Sequence, residues 1–240
     1  MSYLGFMRAV CRGFLAGCRE PHVLEIGIDR GQTTFPLVHN LALWDKFRYV
    51  GVDINVKLIV MEQLAQYDNI SLIGMDQPSG RDVILYQDNS LNWLPQRVGK
   101  DTYDLVLLDG DHNYKTVYQE LDLLMPLIHE NSIIVVDDYN GQWANKDLYY
   151  STRDKYKGNP LATQHEESEK QGVRTAVTDW LAENRNWAGA TIGDLDPIIL
   201  FRTDVWDKME LKVGGTPGER VLLSRNLELI ARKKNAQTQR

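Results

Sequence analysis

The chain has 240 residues and a formal charge of −6 at pH 7, with a pI near 5.4, a balance that argues against a protein built to grip nucleic-acid backbone. No run approaches the roughly 20 apolar residues of a membrane span, and Arg8 and Arg12 interrupt the N-terminal stretch before a secretory core could form. Cys11 and Cys18, the only two cysteines, stand seven apart on an amphipathic segment and read as structural thiols, so a soluble cytoplasmic protein with one α/β domain is expected.

In chain order, the pattern predicts a helix over about 2–18, a strand over 22–28, a helix over about 31–43, a strand over 48–54 and a helix over about 56–66. A short strand-like run, Ile70–Met75, and a turn at Gln77-Pro78-Ser79-Gly80 precede a strand over about 83–88. Next comes the apolar run Leu105-Val106-Leu107-Leu108, which stops in Asp109-Gly110-Asp111-His112. A helix over Tyr114–Ile128 is long enough to cross the sheet to a second run, Ile133-Ile134-Val135-Val136, which stops in Asp137-Asp138-Tyr139. Short apolar runs ending in carboxylates read as buried parallel strands. The polar, aromatic stretch Tyr139–Gly172 reads as a lid. A helix over Val173–Asn184 and a hairpin of Ala190–Leu195 with Ile198–Thr203 follow. The tail from Val205 carries a turn at Gly214–Gly218 and the basic run Arg232-Lys233-Lys234. Alternation of this kind predicts a doubly wound, mostly parallel sheet closed by a C-terminal antiparallel hairpin. The expected organisation is an N-terminal helix over 1–20, a cofactor-binding domain over 21–204 with its lid at about 139–172, and a tail over 205–240.

The first strand carries a cofactor signal. Val23-Leu24-Glu25-Ile26-Gly27-Ile28-Asp29-Arg30-Gly31-Gln32-Thr33-Thr34 is a strand, a glycine turn and a helix start. Gly27 permits the tight turn, and Gly31 permits close backbone approach at a helix N-terminus. Asp53, at the end of the next strand, suits the hydroxyls of a ribose. A nicotinamide dinucleotide is disfavoured, because G-x-G-x-x-G is absent. The four aspartates and one histidine at the two later strand ends converge on the rim where ligands bind in open α/β sheets, which suggests a divalent metal with a base beside it.

Together, E-I-G-x-x-x-G-x-T, the acidic end of strand two and D-G-D-H…D-D-Y resemble class I S-adenosylmethionine-dependent methyltransferases. The resemblance is closest to the metal-dependent sugar O-methyltransferases of macrolide and aminocoumarin biosynthesis, and covers roughly Pro21–Arg185. Gln87-Asp88-Asn89-Ser90 resembles that family's element near the adenine, and Gly172-Val173-Arg174-Thr175-Ala176-Val177 its helix start after the lid. The glycine loop departs from the commoner E-x-G-x-G-x-G, with Asp29 at the middle glycine.

The resemblance implies a Rossmann-like fold with seven strands, and a hydroxyl-bearing small molecule, such as a sugar, as the acceptor. It implies that Glu25, Gly27, Gly31 and Thr33 hold the methionine end of S-adenosylmethionine, that Asp53 takes the ribose, and that Asp88 or Ser90 lies near the adenine. Asp109, Asp137 and Asp138 would hold Mg²⁺, a hard cation that takes oxygen ligands, with Asp109 also beside the cofactor. His112 would be the general base. Other readings stay open. His112 also suits a cap for the helix beginning near Tyr114, and Asp137-Asp138 a loop start. Asp111 suits a metal ligand or a hydrogen-bond partner of cofactor or substrate. Tyr139, Trp143, Tyr149, Tyr150 and Tyr156 suit stacking on a ring or ordinary lid packing. Asp109-Gly110-Asp111 is also a D-x-D, as in metal-dependent glycosyltransferases, and a non-catalytic cofactor-binding module keeps the same fold. No nucleic-acid or membrane partner is expected, and a homo-oligomer is left open.

Overall fold

The computed structural model describes residues 3–67, 71–72, 80–191 and 195–206. Most of the run Ile70–Met75, the turn at Gln77–Ser79 and nearly all of the tail lie outside these residues. Among the described residues, eight strands form one sheet: β1 (His22–Ile26), β2 (Phe47–Asp53), β3 (Ser71–Leu72), β4 (Arg81–Gln87), β5 (Tyr103–Leu108), β6 (Ile128–Val136), β7 (Trp187–Thr191) and β8 (Ile198–Arg202). Their order is β3-β4-β2-β1-β5-β6-β8-β7. The first six strands run parallel, while β8 is antiparallel to both β6 and β7. This is the expected Rossmann-like sheet of seven substantial strands, with the two-residue β3 added at one edge.

Strand residues alternate between the two faces of the sheet, as the period of two requires. Val23 packs into one cluster with Leu37, Val38 and Leu64, and Leu24 into the other with Trp93, Leu121 and Trp180. Helices α1 (Tyr3–Phe14), α2 (Thr34–Leu41) and α3 (Leu58–Leu64) cover the first face. The second is covered by α4 (Ser90–Trp93), α5 (Tyr114–Leu124) and α6 (Val173–Glu183), and α7 (Thr203–Trp206) follows β8. Among the described residues no helix is long and apolar enough to cross a membrane.

Among the element ends that differ from the sequence pattern, two have clear local reasons. The helix after β1 begins at Thr34 rather than near Gly31, because Gly27, Asp29 and Gly31 all take positive φ (90°, 42° and 76°) and form a tight loop first. The helix from Tyr114 stops at Leu124, where Pro126, which has no amide to donate, tightens the chain into a 3₁₀ turn, Met125–Leu127. β6 therefore starts at Ile128, and a register shift against β5 brings Leu105–Leu108 alongside Ile133–Val136. Strand order reverses between β1 and β5, so the crevice between their C-terminal ends is the position where this architecture binds ligands.

Candidate active site

Single hydrogen bonds extend the ladders beyond the strand ends and set the site residues in a row. The amide of Asp88 donates to Asp53 O at 3.1 Å, Gly27 N to Val52 O at 2.9 Å, Asp109 N to Ile26 O at 2.8 Å, and Asp137 N to Leu108 O at 2.9 Å. Gly27 is required at its place: a Cβ there would overlap the backbone carbonyl of Asp109, and its φ is positive.

A cleft opens at this row, walled by Ile26, Val52 and Ile54 and edged by Asp53, Asp88, Asn89 and Asp111. A second cavity, lined by Thr33, Phe35, Pro36, Asp137 and Asp196 among others, shares Gly27, Asp29, Asp109 and Tyr150 with the first. The two spaces therefore meet over the Gly27–Asp109 contact.

The carboxylate of Asp53 holds the glycine loop. Its Oδ2 accepts from the amides of Ile28 (2.7 Å) and Asp29 (3.0 Å), and its Oδ1 from Asn55 N (2.7 Å). Asp29 is also tethered by Lys57. Glu25 lines neither cavity. It is fully buried beneath the loop, where Oε2 accepts from Thr34 Oγ1 at 2.9 Å and from the Tyr49 hydroxyl, while Oε1 has no partner. Burial outweighs both hydrogen bonds and pushes its carboxyl up to about 7. Ser90 edges the first cleft, but its hydroxyl turns inward to Glu120 Oε1 at 2.5 Å.

At the other strand ends, Asp109 is pushed well above the usual carboxylate range, first by burial and then by the charge of Asp137, to which it is hydrogen-bonded. Burial and Asp138 raise Asp137 as well. Asp138 adopts a left-handed φ of 55°, and its Oδ2 lies 3.3 Å from His112 Nδ1. His112 Nε2 is 3.9 Å from Asp109 Oδ1. The imidazole is buried, and that desolvation lowers its pKa against the opposing pull of Asp138. A neutral ring with its proton on Nδ1 facing Asp138 keeps a lone pair on Nε2 toward Asp109.

His112 is not the helix cap. Asn113 is: its side chain accepts from Thr116 N at 2.8 Å. An asparagine directly before a periodic helix was the available sequence signal. Asp147 carried no such signal. Its Oδ1 accepts from Tyr114 N at 2.8 Å and Gly172 N at 2.7 Å, tying the lid to the starts of α5 and α6.

The donor set at Asp109, Asp137 and Asp138 is all oxygen, and among the described residues no lysine or arginine forms an ion pair with it. Mutual repulsion of the kind that raises Asp109 is what a divalent cation relieves, so chemistry and charge fit a hard metal. The set is not a ready-made cage: among the described residues no three acidic, histidine or cysteine side chains surround one point. Asp111 lines the first cleft with Asp109 and faces the Thr163 hydroxyl and the Tyr150 amide.

Of the lid aromatics, Tyr150 and Tyr156 line the first cleft. Tyr149 is buried against His165, Trp143 lies under Lys146 and Arg153, and Tyr139 lies under Arg174.

Residues 24–139 match the sequence model of a family described as a methyltransferase domain. None of the curated proteins compared matches the chain. Similar solved structures include the methyltransferase PaMTH1 of Podospora anserina bound to S-adenosylhomocysteine, with a TM-score of 0.52, 16% identity, and coverage of 85% of this chain and 80% of that one. Another is the O-methyltransferase of Bacillus cereus in complex with S-adenosylhomocysteine, with values of 0.51, 15%, 83% and 80%. A third is CalS11, a TDP-rhamnose 3'-O-methyltransferase of calicheamicin biosynthesis, with 0.50, 14%, 83% and 78%. The chain has the Rossmann-like fold of these solved structures.

Proposed function

We propose that the chain is an S-adenosylmethionine-dependent, magnesium-dependent O-methyltransferase acting on a hydroxyl of a small polar molecule, with sugars the first acceptor class to test. The observation that carries this reading is Asp109, which lines both cavities and has His112 Nε2 3.9 Å from its Oδ1, with Asp138 on the other side of the ring. The first cleft, with its apolar walls and acidic edge, suits a nucleoside, and the second suits the acceptor. Phe35, Pro36 and Tyr150 offer apolar faces to a ring there, and Asp137 and Asp196 offer acceptors to its hydroxyls. A sugar acceptor also agrees with the TDP-rhamnose substrate of CalS11.

When bound, the cofactor supplies the methyl group, and magnesium on Asp109, Asp137 and Asp138 supplies positive charge beside the acceptor oxygen. His112 Nε2 takes the acceptor's proton as general base. Asp138 fixes the ring that receives it. The Gly27–Asp109 contact sets the nucleoside cleft against the acceptor cavity, so that donor and acceptor are aligned before reaction.

The test has two arms. Calorimetry should give micromolar S-adenosylhomocysteine binding, with or without chelator. Methyl transfer to a panel of sugars and other polar hydroxyl compounds should stop in EDTA and return with magnesium. Binding of UDP with manganese, and none of S-adenosylhomocysteine, would reject the methyltransferase reading. Full turnover in EDTA by both the wild type and Asp137→Ala would reject the metal.

A further inference from the structure

The lid is tied to the nucleoside cleft by side chains that play no part in the chemistry above. Asn89, at the corner after β4, has a divided side chain. Its Oδ1 caps α4 by accepting from Leu91 N at 2.9 Å, while its Nδ2 donates to Leu161 O at 2.7 Å and Thr163 Oγ1 at 3.2 Å. Over the neighbouring strand end, Asn159 Nδ2 donates to Ile54 O, just past β2, at 3.2 Å. Tyr150, Tyr156 and Thr163 of the same segment line the cleft together with Ile26 and Val52. The two tyrosine rings meet edge to face, with centroids 5.1 Å apart, and Asp111 faces Thr163 and the Tyr150 amide from below. The chain thus passes over the neighbouring ends of β2 and β4 and is anchored at both.

We propose that the lid segment Tyr150–Thr163 is the roof of the cofactor site, with Asn89 and Asn159 as its two latches, so that it contacts the nucleoside and controls its release. This rests on the cofactor reading given above. Breaking a latch of one or two hydrogen bonds should speed cofactor dissociation about tenfold, equivalent to about 1.4 kcal/mol.

The experiment follows S-adenosylhomocysteine release by displacement in stopped flow, using the full chain. Asn159→Ala is the deciding variant, because Asn159 does not itself line the cleft. Asn89→Asp is the second, since it keeps the oxygen that caps α4 and removes the two donors to the lid. Thermal melts check that both variants are folded. Limited trypsin digestion of the wild type adds an independent readout, because Arg153, Lys155 and Lys157 lie in the roof and are exposed. We expect release to quicken about tenfold in both variants, and saturating S-adenosylhomocysteine to slow cleavage at those three sites in the wild type. Unchanged release from Asn159→Ala, or cleavage that is indifferent to the ligand, overturns the roof. A wild-type chain that does not bind S-adenosylhomocysteine overturns the cofactor reading and the roof with it, an outcome distinct from binding with unaltered release.

Discussion

His112 Nδ1 faces Asp138 Oδ2 at 3.3 Å, and Asp138 takes a left-handed φ of 55°. The neighbouring Asn113 caps α5, so the histidine is released from that duty. Replacing His112 with Asn should lower the methyl-transfer rate by about 10²–10⁴-fold, while S-adenosylhomocysteine affinity stays near that of the wild type. Asn113→Ala should do the reverse, costing about 0.5–2 kcal/mol in a denaturant titration with the base still in place. Equal rates for wild type and His112→Asn would remove the histidine from the reaction.

Gly27→Ala should damage both stability and binding. The added methyl meets the Asp109 carbonyl across the β1–β5 crevice, and the backbone there is left-handed. Strain of this kind costs about 1–3 kcal/mol, and the shift that relieves it separates the two cavities' common floor. A variant with unchanged melting temperature and ligand affinity would show that the crevice is looser than described.

Glu25 gives a stability prediction with a definite sign. Its folded-state carboxyl is raised to about 7, chiefly by burial, from an ordinary value of 4.5. The folded chain therefore binds the extra proton between these values, and its contribution to stability is fully present below pH 4.5 and lost as pH rises through 7. At 1.36 kcal/mol per unit, the loss is on the order of 3 kcal/mol. Other buried carboxylates add slopes of their own, so the informative quantity is the difference between wild type and Glu25→Gln. Denaturant titrations from pH 4.5 to 7.5 should show stability falling less steeply in the variant. Parallel curves would mean that Glu25 titrates alike in the folded and unfolded chains.

The sheet was legible because its strands are short apolar runs with polar ends, and the paired acidic ends of β5 and β6 were legible for the same reason. Less of the site's support was. The use of Asp53 by the Ile28 and Asp29 amides depends on the fold of the Gly27–Gly31 loop, and no spacing in the sequence announces it. The burial of Glu25 under that loop depends on Tyr49, 24 residues away. The ties made by Asn89, Asn159 and Asp147 join residues separated by 25 to 105 positions, and such contacts leave no periodic trace. Asn113 was the exception, a local cap readable from its place before the helix.

Asp53 offers the most direct measurement of whether this rim is a cofactor site. Its carboxylate holds the loop by two amides and edges the nucleoside cleft. Calorimetric titration of S-adenosylhomocysteine into wild type and Asp53→Ala should give micromolar binding to the first. Binding to the second should be weaker by about 1–3 kcal/mol, the range for losing hydrogen bonds to a charged group. No heat of binding to the wild type, or equal affinity in the two proteins, would contradict a cofactor seated at the ends of β1, β2 and β5.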